Sequence, residues 1–101
     1  MLINENIVLK TEDALVRTIE IFPETEAPWH YHTEVIDDCF CLEGIIEVQI
    51  KNPDQTISLA PGERCTINTG RVHRVANATK EKSKYLLVQG VGKYDFITID
   101  L

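Results

Sequence analysis

From residue 44 onward, turn-forming residues interrupt this chain about every ten positions. Asn52-Pro53-Asp54-Gln55, Ala60-Pro61-Gly62-Glu63, Asn68-Thr69-Gly70 and the break at Gly90–Gly92 each separate short runs rich in β-formers. Those runs are Ile45–Ile50, Thr56–Leu59, Arg64–Ile67, Val72–Ala76, Lys84–Gln89 and Tyr94–Ile99. Asn77–Lys82 is a polar loop. Upstream, Asn6–Lys10 reads as a first strand. Ala14–Phe22 fits helical spacing through Ala14, Leu15, Ile19 and Phe22, and fits alternation through Leu15, Ile19 and Ile21. Pro23 ends that segment in either case. Short strands with this turn rhythm predict an all-β sandwich or barrel, with no helix that the pattern demands.

Length and charge narrow the function classes. A chain of 101 residues holds one modest core, so a single domain over residues 1–101 is expected. The formal net charge is −6 and no Lys/Arg cluster is present, which argues against nucleic acid or an anionic membrane as partner. Met1–Asn6 lacks signal-peptide features, and no apolar run approaches the roughly 20 residues of a membrane span. A cytoplasmic location is the expectation. Three cysteines form no disulfide framework. On one strand face Cys39 and Cys41 would stand roughly 7 Å apart, too far for an easy bridge. They read as small buried thiols of a reducing compartment.

The densest chemistry lies in Pro28–Gly44, which carries His30, His32, Asp37, Asp38, Cys39 and Cys41. On a strand, residues two apart share a face. His30 and His32 can then approach one ion, with bonds of about 2.0–2.1 Å if that ion is zinc. Asp37 adds a hard oxygen ligand, while Asp38 points to the opposite face. His73, the third and last histidine, opens a later strand of the same small barrel.

These residues carry a family resemblance. The chain resembles the cupins, small double-sheet jelly rolls also described as double-stranded β-helix barrels. The first cupin motif runs His-x-His, three or four residues, Glu, six residues, Gly. Here it falls on His30, His32, Asp37 and Gly44, with Asp in place of Glu. The second runs Gly, five residues, Pro-x-Gly, two residues, His, three residues, Asn. It falls on Gly62, Asn68, Gly70, His73 and Asn77, with Asn in place of Pro. The two motifs span Pro28–Asn77 and leave 17 residues between Gly44 and Gly62.

The resemblance implies that His30, His32, Asp37 and His73 project into the barrel and hold a divalent metal, commonly iron, manganese, nickel or zinc in cupins. Asp is one methylene shorter than Glu, so two roles stay open for Asp37: direct ligation, or orienting an imidazole or bound water. Alternation places Cys39 and Cys41 on the Asp37 face as possible cavity-lining groups, with packing and ligation by Cys39 both open. Trp29, Tyr31 and Phe40 fall on the face opposite the ligands. Tyr85, Leu87 and Gln89 share one face of a late strand. If that face is inward, Tyr85 and Gln89 offer hydrogen bonds to a ligand. Arg71 and Arg74 flank His73, either as solvated charges or as an anion clamp at the barrel mouth. Asn77 reads as a turn-fixing residue.

Two functional classes follow. One is a metal-dependent enzyme acting on a small polar or anionic molecule. Within it, a dioxygenase branch would leave metal positions for substrate and dioxygen. An isomerase or lyase branch would use the metal as a Lewis acid, with a carboxylate or Tyr85 shuttling the proton. Small cupins that open or rearrange uronate rings resemble the chain in size. It keeps their Asp95-Phe96 pair but has Leu87, Gln89 and Lys93 where their other catalytic groups stand. The second class is a non-catalytic barrel that binds metal or a small ligand. No catalytic residue is assigned from sequence. A homodimer is expected, because small cupins commonly pair, often by exchanging N-terminal strands, and Leu2, Ile3, Ile7, Val8 and Leu9 form an apolar segment suited to covering a strand edge.

Overall fold

A computed structural model describes residues 3–101 and shows two antiparallel sheets facing each other. In the first sheet the spatial order is β1 (Ile3–Lys10), β2 (Ala14–Ile21), β10 (Ser83–Gly90), β5 (Ile36–Glu43), β8 (Arg64–Ile67). The second runs β11 (Ile97–Thr98), β4 (His30–Tyr31), β9 (His73–Asn77), β6 (Ile46–Ile50), β7 (Gln55–Leu59). The two-residue strand β3 (Thr25–Glu26) also pairs with β9. This is the all-β jelly-roll barrel expected from the turn rhythm. No helix occurs among the described residues.

Alternation decides the ambiguous segment. Ala14–Ile21 is a strand because Leu15, Ile19 and Ile21 point inward from a position between β1 and β10. Helical spacing would have scattered them around a cylinder with no second face to bury them. Tyr85, Leu87 and Gln89 are likewise the inward set of β10. The expected last strand shortens to Ile97–Thr98, and residues 94–96 cross the barrel mouth as irregular chain.

The inward residues change character along the strands. On β5 and β10, Cys41 pairs with Tyr85, Cys39 with Leu87 and Asp37 with Gln89. The apolar end joins Ile21, Ile46, Val48, Leu59, Ile67 and others in one buried cluster. Fully burying an Ile or Val side chain contributes about 1.5–3 kcal/mol, so this end carries the stability that the polar end lacks.

Two turn positions show how the chain closes. Asn77 is buried. Its Nδ2 donates to the carbonyls of Ile21 at 3.0 Å and Glu81 at 2.7 Å, and its Oδ1 accepts from the Thr79 amide at 2.9 Å. It therefore fixes the loop before β10 and pins it to the end of β2. Gly44 has φ 70°, and a Cβ there would lie 2.5 Å from Ser83 Oγ. Gly62 has φ 89° and open space where its Cβ would be. Gly62→Ala should therefore cost only the backbone penalty of about 1–2 kcal/mol. Gly44→Ala should cost more, since Ser83 must also give up its 2.8 Å bond to the Ile45 carbonyl. Urea midpoints of the two variants measure the difference; equal midpoints would remove the steric argument.

Candidate metal centre

The site forms where one rung of each sheet meets the other. In the first sheet the rung runs Leu15, Gln89, Asp37, Ile67. In the second, His30 pairs directly with His73, which pairs with Ile50. His32 follows the last residue of β4. All four candidate ligands are buried, and one donor atom from each lies within 4.8 Å of the others. No other group of three or more such side chains is found among the described residues.

Backbone carbonyls set the orientation of each imidazole. His30 Nδ1 donates to the Pro28 carbonyl at 2.9 Å, His73 Nδ1 to that of Arg71 at 2.7 Å, and His32 Nδ1 to that of Asp95 at 2.5 Å. A carbonyl only accepts, so Nδ1 carries the proton, and in the neutral ring Nε2 presents a lone pair. Asp37 Oδ2 stands 2.8 Å from His73 Nε2 and 3.2 Å from His32 Nε2. Its Oδ1 accepts from Gln89 Nε2 at 2.9 Å. Lone pairs and a carboxylate thus converge on one buried point, and only added protons or a cation can reconcile them. Two ligands that share an ion at 2.0–2.1 Å stand about 3–4 Å apart. The donor atoms here run from 2.8 Å to at most 4.8 Å apart, so the donor set suits a divalent metal that draws the outer ligands in.

Electrostatics agree with that fit. Burial opposes ionisation of Asp37, but His32 and His73 outweigh it and hold the carboxyl well below the usual carboxylate range. Burial pushes His30 down to about 4, against the pull of the Pro28 carbonyl. Burial also acts downward on His32, yet the facing Asp37 carboxylate raises it overall.

Several sequence expectations are corrected here. Cys39 and Cys41 face inward but lie sealed in the apolar core, away from the cavity beside the histidines. Burial pushes the Cys39 thiol well above its ordinary range, which disfavours the thiolate a metal would need. Arg71 does not line the cavity; its guanidinium donates to the carbonyls of Lys51 and Pro53 and holds that turn. Arg74 stacks over Trp29 at 4.3 Å and donates to Gln49, so neither arginine forms an anion clamp. Asp38 faces outward, as alternation predicted, and pairs with Arg64 and Thr66. Tyr85 and Gln89 do line the cavity.

That cavity, of about 90 Å³, is bounded by His30, Asp37, His73, Tyr85, Gln89 and Phe96, together with Arg17 and apolar residues. Sequence reading missed Arg17 and the local role of residues 94–96. Arg17 occupies an inward position of β2 between Leu15 and Ile19, the one charged side chain in an apolar alternation. That placement was the available signal. Phe96 stacks on His30 with ring centroids 4.1 Å apart. Asp95 accepts from the Thr33 amide at 2.9 Å, which holds its carbonyl against His32.

The profile of the Cupin domain family matches residues 17–89, and the chain belongs to that family. No curated protein matches it. Among solved structures, an uncharacterized conserved protein with a double-stranded β-helix domain from Klebsiella pneumoniae is 23% identical, with a TM-score of 0.85 over 98% of this chain and 85% of that one. The polyketide cyclase RemF from Streptomyces resistomycificus is 18% identical, with a TM-score of 0.84 over 99% and 72%. KdgF from Halomonas sp. is 16% identical, with a TM-score of 0.77 over 91% and 82%. At these identities the likeness is one of fold. The chain is a cupin whose buried His30, His32, Asp37 and His73 could hold a metal ion.

Protein purified without a His tag should contain divalent metal by elemental analysis. The double variant His30→Ala/His73→Ala should lower metal affinity about tenfold or more, while Arg71→Ala should leave it unchanged. Undiminished metal content in the double variant would overturn the centre described here.

Proposed function

We propose that this cupin is a metal-dependent enzyme of the dioxygenase type, acting on a small polar molecule held in the barrel. His30, His32, Asp37 and His73 would hold the metal. The observation that carries the reading is that His30, Asp37 and His73 also line the cavity, so a molecule filling it meets the ligand set directly. A bound divalent ion would supply Lewis acidity and open positions for substrate or dioxygen.

The protein's own groups support the dioxygenase branch over the isomerase or lyase branch, which needs a residue free to move a proton. Asp37 is engaged by His32, His73 and Gln89. Burial pushes the Tyr85 phenol far above its ordinary range. Glu5 is paired with Arg17 at 2.9 Å. The remaining wall contributes shape: Phe96 fixes the plane of His30, and Ile19, Val75 and Leu87 exclude water. The deep burial of His32 and His73 favours a second reading, a non-catalytic metal- or ligand-binding barrel.

Oxygen uptake by the Fe(II)-loaded protein with a panel of small polar acids tests the proposal. Consumption of oxygen coupled to loss of one acid is the expected outcome. Turnover without oxygen would favour the isomerase or lyase branch, and tight binding with no turnover would favour the binding barrel.

A homodimer is the proposed assembly. β1 is an edge strand, and Ile7, Val8 and Leu9 are exposed at a bulge in its pairing with β2. Leu2 lies outside the described residues. Light scattering should return twice the chain mass, and a monomer would refute the assembly.

A further inference from the structure

One buried group has no use in the metal centre itself. The Arg17 side chain is only 12% exposed. Its Nη1 donates to Glu5 Oε2 at 2.9 Å and its Nη2 to Gln89 Oε1 at 2.5 Å. Its Nε–H is buried and meets no acceptor among the described residues. A buried donor left unpaired is costly, and more so when it carries charge. Arg17 shares the cavity wall with His30, Asp37 and His73, and Gln89 joins it to Asp37 through the 2.9 Å bond to Oδ1. Most of the remaining wall is apolar, including Ile19, Ala27, Val75 and Leu87.

We propose that Arg17, oriented by Gln89, is the carboxylate-binding group of this cavity, and that the molecule handled is a short-chain carboxylic acid. The proposal rests on the metal reading and names the substrate class for it. The guanidinium edge at Nε is the fork that takes a carboxylate through two parallel N–H donors. Glu5 already shows the chemistry, with its own carboxylate on the neighbouring Nη1. The same Glu5 disfavours a phosphoryl dianion, since a second full negative charge beside it would be repelled and a single guanidinium must serve both. Size points the same way. A cavity of about 90 Å³ holds roughly six to nine water-sized groups at about 10–15 Å³ each, which suits an acid of about two to four carbons. Arg17 also borders an outer cleft, whose lining includes Glu5, Lys10, Glu12, Lys93 and Tyr94.

The test uses protein loaded with Co(II), with metal stoichiometry measured separately. Calorimetric titration compares acetate and lactate with their neutral amides, acetamide and lactamide. The acids should bind about tenfold or more tightly than the amides. Arg17→Ala and Arg17→Met should abolish that preference while Co(II) content stays at the wild-type level. Glu5→Gln, which removes the neighbouring negative charge, should keep or strengthen acid binding. Equal affinity for acid and amide in the wild type overturns the proposal without any variant. So does a preference that survives loss of Arg17. Wild-type protein that takes up no Co(II) defeats the metal reading alone. The acid–amide comparison in that metal-free protein then decides the Arg17 site.

Discussion

The chemistry of this barrel depends on three N–H···O=C hydrogen bonds. Each histidine gives its Nδ1 proton to a backbone carbonyl, and each is left with Nε2 turned toward the same buried point. Two of these bonds are local, from His30 to Pro28 and from His73 to Arg71, each reaching two residues back. The third crosses from His32 to Asp95, 63 positions along the chain. A buried imidazole without such a partner would waste a donor and rotate freely between tautomers. With it, the ring's tautomer and direction are fixed, as a metal ligand's must be.

Asp37 is tolerable at 3% exposure only because of this arrangement. An isolated carboxylate in that position would be expelled or protonated. Here His32, His73 and Gln89 surround it, and it stays ionised. Gln89 then passes the connection to Arg17, which passes it to Glu5. A polar line therefore runs from the ligand set to the barrel rim through a wall that is otherwise apolar. Its opposite charges sit close enough to offset one another's burial. The Ile, Val and Leu cluster at the far end of the same strands supplies the stability that such a line consumes.

Much of this architecture was legible from local pattern. Turn residues recur about every ten positions because a β-chain must reverse, and Gly, Pro, Asn and Asp do so cheaply. Asn77 could be read as a turn-fixing residue because its side chain serves its own loop. The choice between helix and strand for Ala14–Ile21 was not legible, since both periods fit and only the neighbours β1 and β10 decide. The charged residues were misplaced for a related reason. Arg71 stood two residues before His73 in sequence, but it precedes β9, so no strand face fixes it, and its guanidinium ended on the Lys51–Pro53 turn. Arg17, far from every motif, arrived at the cavity because β2 pairs with β10 and sets it opposite Leu87, beside Gln89.

Strand alternation placed His30 and His32 on one face, and the motif resemblance to the cupins joined Asp37 and His73 to them as one site. Whether the shorter Asp37 carboxylate would stand among the imidazoles was a question of distance between two sheets. Only their packing answers it, with Oδ2 2.8 Å from His73 Nε2. Cys39 and Cys41 share the face of Asp37 by the same alternation, yet lie in the core, because depth along a strand is set by the rungs on either side and not by parity. Which face a residue takes is a property of its own strand. How far along the barrel that face meets the cavity is a property of register, and register is long-range.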